Sequence, residues 1–234
     1  MTAGGTVGWS GFWNTKAQAG TDFEATGRGS MDAIGFLHTV SEVARVLELG
    51  RTDVVLDVGC GTGLLSLAIA PFVEEVFAQD LSPAMAARAR DNVRGLGSVT
   101  LAVGRIEALS YSPASVDKVL AYSVLQYLAD ESALEQVLLE IARVLRPGGR
   151  ALLAANPDPA RRNRYEDVLR DRSSAEDLDA QLALLDEVLW VSGTRMEQIG
   201  TSVGLTARAQ PISERIWQHF YMFDFVVEKA AHGG

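Results

Sequence analysis

The sequence predicts an α/β fold: a seven-stranded, mostly parallel sheet with helices on both faces and an antiparallel edge. Three observations predict it. Short β-branched apolar runs alternate with helical patterns over residues 31–157, the signature of parallel strands joined by helical crossovers. The first of these runs ends in a glycine loop, Gly59 to Gly63, that opens into a helix. Two further strand candidates, separated by a turn around Pro211, close the chain and suit an antiparallel pair at the sheet edge.

The elements follow in order. The first 30 residues hold seven glycines and the aromatics Trp9, Phe12, Trp13 and Phe23, which reads as an irregular arm docked on the domain by its rings. Met31 to Leu49 is a helix, with Ile34, Leu37, Val40, Val43, Ala44 and Leu47 at three- and four-residue spacing and Gly50 as its cap. Asp53 to Val58 is a strand of continuous apolar character, as expected for burial on both faces. Leu64 to Ala70 is a helix stopped by Pro71, and Glu75 to Asp80 is the second strand. Ser82 caps a helix that has Pro83 in its first position and runs to about Arg94. Ser98 to Val103 and Val116 to Ala121 are strands, Glu131 to Leu145 is a helix ended by Pro147-Gly148-Gly149, and Arg150 to Ala155 is the fifth strand. Residues 158–192 are charged and helical, without a strand candidate. A helix over Thr194 to Val203 and strands over Gly204 to Ala209 and Trp217 to Val227 complete the chain. The expected organisation is an arm (1–30), a ligand-binding core (31–157), a helical lid insert (158–192) and a C-terminal completion of the sheet (193–234).

Composition narrows the function. The chain has 234 residues, is 47% hydrophobic and 22% charged, and therefore can bury a core; disorder is excluded as its main state. No apolar run reaches the roughly 18–20 residues of a membrane span, and Met1 to Gly11 lacks the basic and apolar regions of a secretory signal. The single cysteine, Cys60, has no internal disulfide partner, and no Cys/His cluster suggests a metal. A cytoplasmic protein is the expectation. A net charge of −9 argues against nucleic acid as the partner, because phosphate contacts need a basic face.

The most informative stretch is Val54-Val55-Leu56-Asp57-Val58-Gly59-Cys60-Gly61-Thr62-Gly63. Glycines here let a ligand lie against bare backbone, and the following helix offers oriented N–H donors. A dinucleotide site would seat a pyrophosphate in such a loop. Asp57, two residues before it, would repel a pyrophosphate and suits an ammonium or sulfonium group. Asp80, at the end of the second strand, suits the two hydroxyls of a ribose. The ligand so described carries a ribose and a positive end.

These residues resemble the class I S-adenosylmethionine-dependent methyltransferases, of Rossmann-like fold. Val55 to Leu65 is similar to the family's first motif, Gln79-Asp80-Leu81-Ser82-Pro83-Ala84-Met85 to its second, Gly104-Arg105-Ile106-Glu107-Ala108-Leu109 to its third and Val116 to Leu128 to its fourth. Val144 to Arg150 matches the stretch before strand five. The resemblance covers residues 50–155, and it implies S-adenosylmethionine as cofactor. It implies that Asp57, Gly59, Cys60, Gly61 and Gly63 surround the methionine part, that Asp80 holds the ribose, and that Leu81, Arg105 and Ile106 flank the adenine. Family members often have Asp at the position of Arg105, and arginine cannot accept the adenine amino group.

The acceptor is expected over the carboxyl ends of strands four and five, near Tyr122, Ser123, Gln126, Tyr127 and Asn156, with Tyr122 and Gln126 also open to cofactor contact. Trp13 and Arg28 of the arm are candidates to touch cofactor or acceptor. Arg161, Arg162, Arg164, Arg170 and Arg172 crowd the insert among Glu166, Asp167 and Asp171. They read either as a solvated helix laced with ion pairs or as a clamp, through Arg161 and Arg164, for an anionic acceptor. His38 reads as structural and His232 as part of the tail; Tyr122, Tyr165 and His219 are the candidates for a base, and the catalytic residue itself stays unknown. The expected function is methyl transfer to O, N or C of a small molecule, with secondary metabolism as one setting. An RNA or protein methyltransferase and a non-catalytic cofactor-binding protein are the alternatives. Neither a metal nor a membrane partner is expected, and the oligomeric state is open, a homodimer being one option.

Overall fold

The computed structural model describes residues 8–29 and 31–231. Its centre is one sheet of seven strands: β1 (Val54–Val58), β2 (Glu75–Asp80), β3 (Val99–Val103), β4 (Val116–Tyr122), β5 (Leu145–Pro157), β6 (Thr206–Pro211) and β7 (Met222–Glu228), in spatial order β3-β2-β1-β4-β5-β7-β6. β1 to β5 run parallel, and β7 lies antiparallel to both β5 and β6. The antiparallel edge is thus the pair β7–β6, with β7 on its inner side. Strand order reverses between β1 and β4, so a crevice opens there beyond the carboxyl ends of the strands.

Nine α-helices surround the sheet among the described residues: α1 (Trp9–Lys16), α2 (Asp22–Ala25), α3 (Ala33–Leu47), α4 (Leu64–Ile69), α5 (Pro83–Asn92), α6 (Glu131–Val144), α7 (Arg162–Arg172), α8 (Ala175–Asp186) and α9 (Gly193–Ser202). Side chains of α6 and α9 fill one face of the sheet with Val119, Leu153 and Phe225. Side chains of α3 and α4 fill the other with Val55, Leu120, Leu152 and Val226. β1 and β4 contribute to both layers, which is why their sequences read as unbroken apolar runs. Asp117 of β4 fixes the start of β1: its carboxylate accepts the Val54 N–H at 2.8 Å and pairs with Arg146 at 2.6 Å.

Local signals hold where capping chemistry is strong. Ser82 caps α5 and accepts the Met85 N–H, with Pro83 in the first helical position. α4 stops at Ile69, and Pro71 leads a 3₁₀ turn, Ala70–Phe72. Three expectations are corrected. Ile34 and Leu37 are 66% and 65% exposed, and α3 turns Thr39, Val43, Val46 and Leu47 inward instead. Phe36 and Val40 continue that seam against the core; two apolar seams share the helix, and only packing chooses between them. α3 ends at Glu48, itself left-handed at φ 53°, before Gly50 is reached. The segment Trp217–Phe220 is a 3₁₀ turn, so the last strand begins only at Met222. β5 is also longer than expected, and a bulge between Leu153 and Asn156 breaks its pairing with β7. Ala155 in that bulge has φ 57°, and its N–H is satisfied by the buried Asp224 carboxylate at 3.0 Å. His232 lies outside the described residues.

Candidate functional site

The glycine loop turns back on the end of β2. The N–H groups of Gly59 and Cys60 both donate to the Gln79 carbonyl, at 2.8 and 3.0 Å. Gly59 and Gly61 have φ of 69° and 57°, conformations that side chains resist. A Cβ at Gly59 would collide with Val124, and one at Gly61 would lie 2.9 Å from the Thr26 methyl of the arm. Glycine therefore lets both the β4 loop and the arm close on this turn. Gly63 plays another part than expected. It faces Ala89 at 3.0 Å, seats α4 against α5 and lies off the cavity wall.

Two carboxylates flank the loop. Asp57 is 2% exposed and accepts a 2.5 Å hydrogen bond from Ser66. Burial pushes its carboxyl up to about 6, the Ser66 hydrogen bond only partly opposing this. Asp80 accepts the Gly61 N–H on one oxygen and the Ser82 N–H on the other, each at 2.8 Å. The two oxygens are thereby held in place, and each keeps a lone pair for a ligand. Burial also raises the Asp80 carboxyl. It likewise raises the Cys60 thiol, helped by the two nearby carboxylates, so Cys60 is a small wall residue and no nucleophile.

The arm closes the crevice. Arg88 of α5 gathers the turn between α1 and α2, donating to the Asp22 carboxylate at 2.7 Å and to the carbonyls of Ala17, Ala19 and Gly20 at 3.1, 2.5 and 3.1 Å. Asn14 accepts from the Ser82 hydroxyl at 2.6 Å and from the Ala84 N–H at 3.2 Å. A chain of hydrogen bonds thus runs from the arm through Ser82 to Asp80. Trp9 and Trp13 pack on Tyr127 with ring centroids 4.6 and 5.3 Å away. Arg28 lies over the Tyr122 ring at 4.8 Å.

Together these parts enclose a cavity of about 640 Å³, within the range of roughly 300–1,000 Å³ that holds a ligand of drug size. Asp57, Gly59, Cys60, Gly61, Asp80, Leu81, Arg105, Ile106, Tyr122, Tyr127, Trp13 and Arg28 all line it. Arg105 pairs with Glu107 at 2.5 Å rather than reaching inward as an acceptor's substitute.

Other expected site residues fall elsewhere. Gln126 donates to the Tyr127 hydroxyl at 2.9 Å and, with Asn156, lies off the cavity wall. Asn156 bonds the carbonyls of Leu153 and Phe223, serving the β5 bulge. Tyr165 is stacked on Tyr221 at 4.1 Å, and the His219 ring sits on the Ile216 carbonyl; neither lines the cavity. Burial raises the Tyr122 hydroxyl, which makes it a poor base at neutral pH. Of the two readings of the insert's arginines, the structure shows the ion-paired helix. Arg161 bonds Asp158 and the His219 carbonyl, Arg162 bridges Glu166 and Asp186, Arg170 pairs with Glu166 and Asp167, and Arg164 is exposed. A helix that interleaves acids with arginines satisfies itself.

The insert reaches the cavity by a different part, the end of α8, through Asp186 and Glu187. Sequence reasoning missed these two, and also Thr26, Met31, Phe36 and Thr39 on the wall. Nothing in local spacing marks them, since long-range packing brings them in. The arm's second helix did carry a signal: Thr21 and Glu24 form a capping box.

Comparison with known proteins fits this geometry. Residues 56–153 match the family described as "Methyltransferase domain". The ubiquinone biosynthesis O-methyltransferase of Xanthomonas oryzae pv. oryzae is 34% identical over 133 residues, 53% of this chain and 54% of that protein. The chain spans about half the length of that curated relative. A methyltransferase of Haloferax volcanii, solved in complex with the Trm112 methyltransferase activator, superposes with a TM-score of 0.69 at 20% identity, covering 94% of this chain and 98% of that one. The [4+2]-cyclase SpnF superposes with a TM-score of 0.65 at 18% identity, covering 83% of this chain and 81% of that one. Residues 56–153, which carry most of β1 to β5, are similar to class I S-adenosylmethionine-dependent methyltransferases, and β6 and β7 beyond them complete the seven-stranded Rossmann-like sheet. The cyclase neighbour shows that the fold alone does not fix the reaction.

Proposed function

We propose that the chain is an S-adenosylmethionine-dependent methyltransferase acting on a small molecule at an O, N or C atom. The observation that carries this reading is the pair of carboxylates around the glycine turn. Asp57 and Asp80 face one cavity, one a buried partner for an ammonium group, the other holding two oxygens ready for two adjacent hydroxyls. The fit extends to the wall: Gly59 and Gly61 present bare backbone, Leu81 and Ile106 offer flat apolar contact, and Arg28 offers a guanidinium to a carboxylate. When bound, the cofactor would supply a sulfonium methyl, an intrinsically good methyl donor.

The protein's own task is then binding and placement. The arm, tied down by Arg88 and Asn14, excludes water from the cavity. Tyr127, Trp9 and Trp13 give the acceptor a firm wall, and orientation against the donor supplies much of the rate. Neither Tyr165 nor His219 stands where a base would serve. An acceptor that needs no strong base suits this wall. The experiment is methyl transfer from methyl-labelled S-adenosylmethionine to fractionated small metabolites. Label in a low-mass product supports the reading, and label confined to protein or RNA contradicts it.

A further inference from the structure

The charges on the cavity wall do not balance, and the imbalance falls at one place. Five carboxylates line it, from Asp57, Asp80, Glu107, Asp186 and Glu187, against the guanidinium groups of Arg28 and Arg105. Two of the carboxylates are already paired, Glu107 with Arg105 and Asp186 with Arg162. Among the described residues, Asp57, Asp80 and Glu187 therefore stand against Arg28 alone. The cofactor proposed above carries an ammonium, a sulfonium and a carboxylate, hence one net positive charge. With it bound, one negative charge is left over. Asp57 faces the cofactor's ammonium and Asp80 its ribose hydroxyls, so the carboxylate left without a partner on this wall is Glu187, which forms no ion pair with any described residue.

Glu187 lines the same cavity as Trp9, Trp13 and Tyr127. Two residues on, the Leu189 N–H donates to the Gln126 carbonyl at 2.8 Å, tying this end of the insert to the turn that carries Tyr127. Tyr127 in turn packs against Trp9 and Trp13. A carboxylate next to such rings recognises a cation: the rings attract it through their faces, and the acid neutralises it. A second, independent feature points to a ligand in the same space. Tyr122 is 6% exposed and lines the cavity, and beyond a loose approach to the Thr39 side chain its hydroxyl makes no well-formed hydrogen bond among the described residues. Such a group is normally satisfied, and a bound polar atom would satisfy it.

We propose that the acceptor is an amine with an apolar body, recognised as its ammonium by Glu187 and laid against Trp9, Trp13 and Tyr127; where that nitrogen takes the methyl group, it first gives up a proton to Glu187 or to water, and its lone pair then forms the N–C bond as the S–C bond of the donor breaks. This rests on the cofactor reading above and narrows its acceptor to one class. It also reverses the expectation of an anionic acceptor held by Arg161 and Arg164, which lie away from the cavity wall.

A matched series tests it, with the full chain saturated with S-adenosylhomocysteine. Calorimetry would compare 2-phenylethylamine, 2-phenylethanol and 3-phenylpropionate, which share a body and differ in charge. The amine should bind at least about tenfold tighter than the alcohol, and the carboxylate weakest of the three. Glu187→Gln should shrink the amine's advantage to less than about threefold, and Glu187→Lys should turn the preference toward the carboxylate. Equal binding of amine and alcohol, tighter binding of the carboxylate, no binding of any of the three, or an unchanged preference in Glu187→Gln would overturn the proposal. Failure of S-adenosylhomocysteine itself to bind is a separate result: it overturns the cofactor reading, and this one with it.

Discussion

Asp57 should make the protein less stable and the cofactor tighter. Its carboxyl is pushed up to about 6 by burial, against an ordinary value of 3.8. In the unfolded chain it ionises near 3.8; in the folded chain it stays protonated until about pH 6. The folded state is thus favoured by this group below about pH 3.8, and that advantage is lost as pH rises to about 6. Above pH 6 the ionised carboxylate costs roughly 1–3 kcal/mol. Asp57→Asn keeps an oxygen for the Ser66 hydroxyl and removes the charge, so at pH 7.5 it should raise the melting temperature of the empty protein. The same change removes the partner of the cofactor's ammonium. Cofactor affinity in the wild type should fall about tenfold from pH 7 to pH 5, since one carboxylate in about eleven is ionised at the lower pH, and about half a proton should be released on binding at pH 6. Titration calorimetry with S-adenosylhomocysteine in two buffers of different ionisation enthalpy measures both. Asp224 is the control. It is also buried and raised to about 6, but it serves the Ala155 N–H and lies off the cavity wall. Asp224→Asn should therefore raise stability without touching cofactor affinity. A pH-independent affinity, or an Asp57→Asn variant that binds as tightly as the wild type, would refute the reasoning.

Three further outcomes follow from the geometry. Gly61→Val would force a branched side chain into a left-handed position already touched by Thr26; cofactor binding should be abolished, while circular dichroism still reports a folded α/β chain. Arg88→Ala removes one charge-assisted bond and three carbonyl contacts that hold the arm. It should weaken arm docking by about 1–3 kcal/mol, read as faster amide exchange over residues 9–26 together with looser cofactor binding. Arg161→Ala and Arg164→Ala should leave acceptor KM unchanged, since both side chains lie off the cavity; a severalfold rise in either would restore the clamp that the structure disfavours.

The core of the fold could be read from the chain because its signals are local. Strands buried on both faces read as apolar runs, and Ser82-Pro83 supplies both the cap and the first residue of α5. The glycine turn and its two acids are legible too, because each acid lies near the carboxyl end of a strand, β1 or β2, that the sequence marks. The acceptor half was not. Asp186 and Glu187 reach the wall only after α7 and α8 fold back over the sheet, and Arg161 and Arg164, conspicuous in the sequence, are turned away by that same packing. His219 looked available in an aromatic strand, but the chain there makes a 3₁₀ turn that lays its ring on the Ile216 carbonyl. Tyr122 lines the cavity, but burial keeps the proton on its hydroxyl, the Arg28 charge only partly opposing this.

We propose that the cavity at the β1/β4 switch point binds S-adenosylmethionine through Asp80 and the glycine turn. The decisive measurement is titration of S-adenosylhomocysteine into the wild type and into Asp80→Ala at pH 7.5, with a thermal melt to establish that both are folded at the assay temperature. Saturable binding of one ligand per chain is expected in the wild type. In Asp80→Ala the expected loss is about 1.5–3 kcal/mol, the worth of hydrogen bonds to a charged group, which is more than tenfold in affinity. Absence of binding in the wild type, or equal affinity in the folded variant, would contradict it.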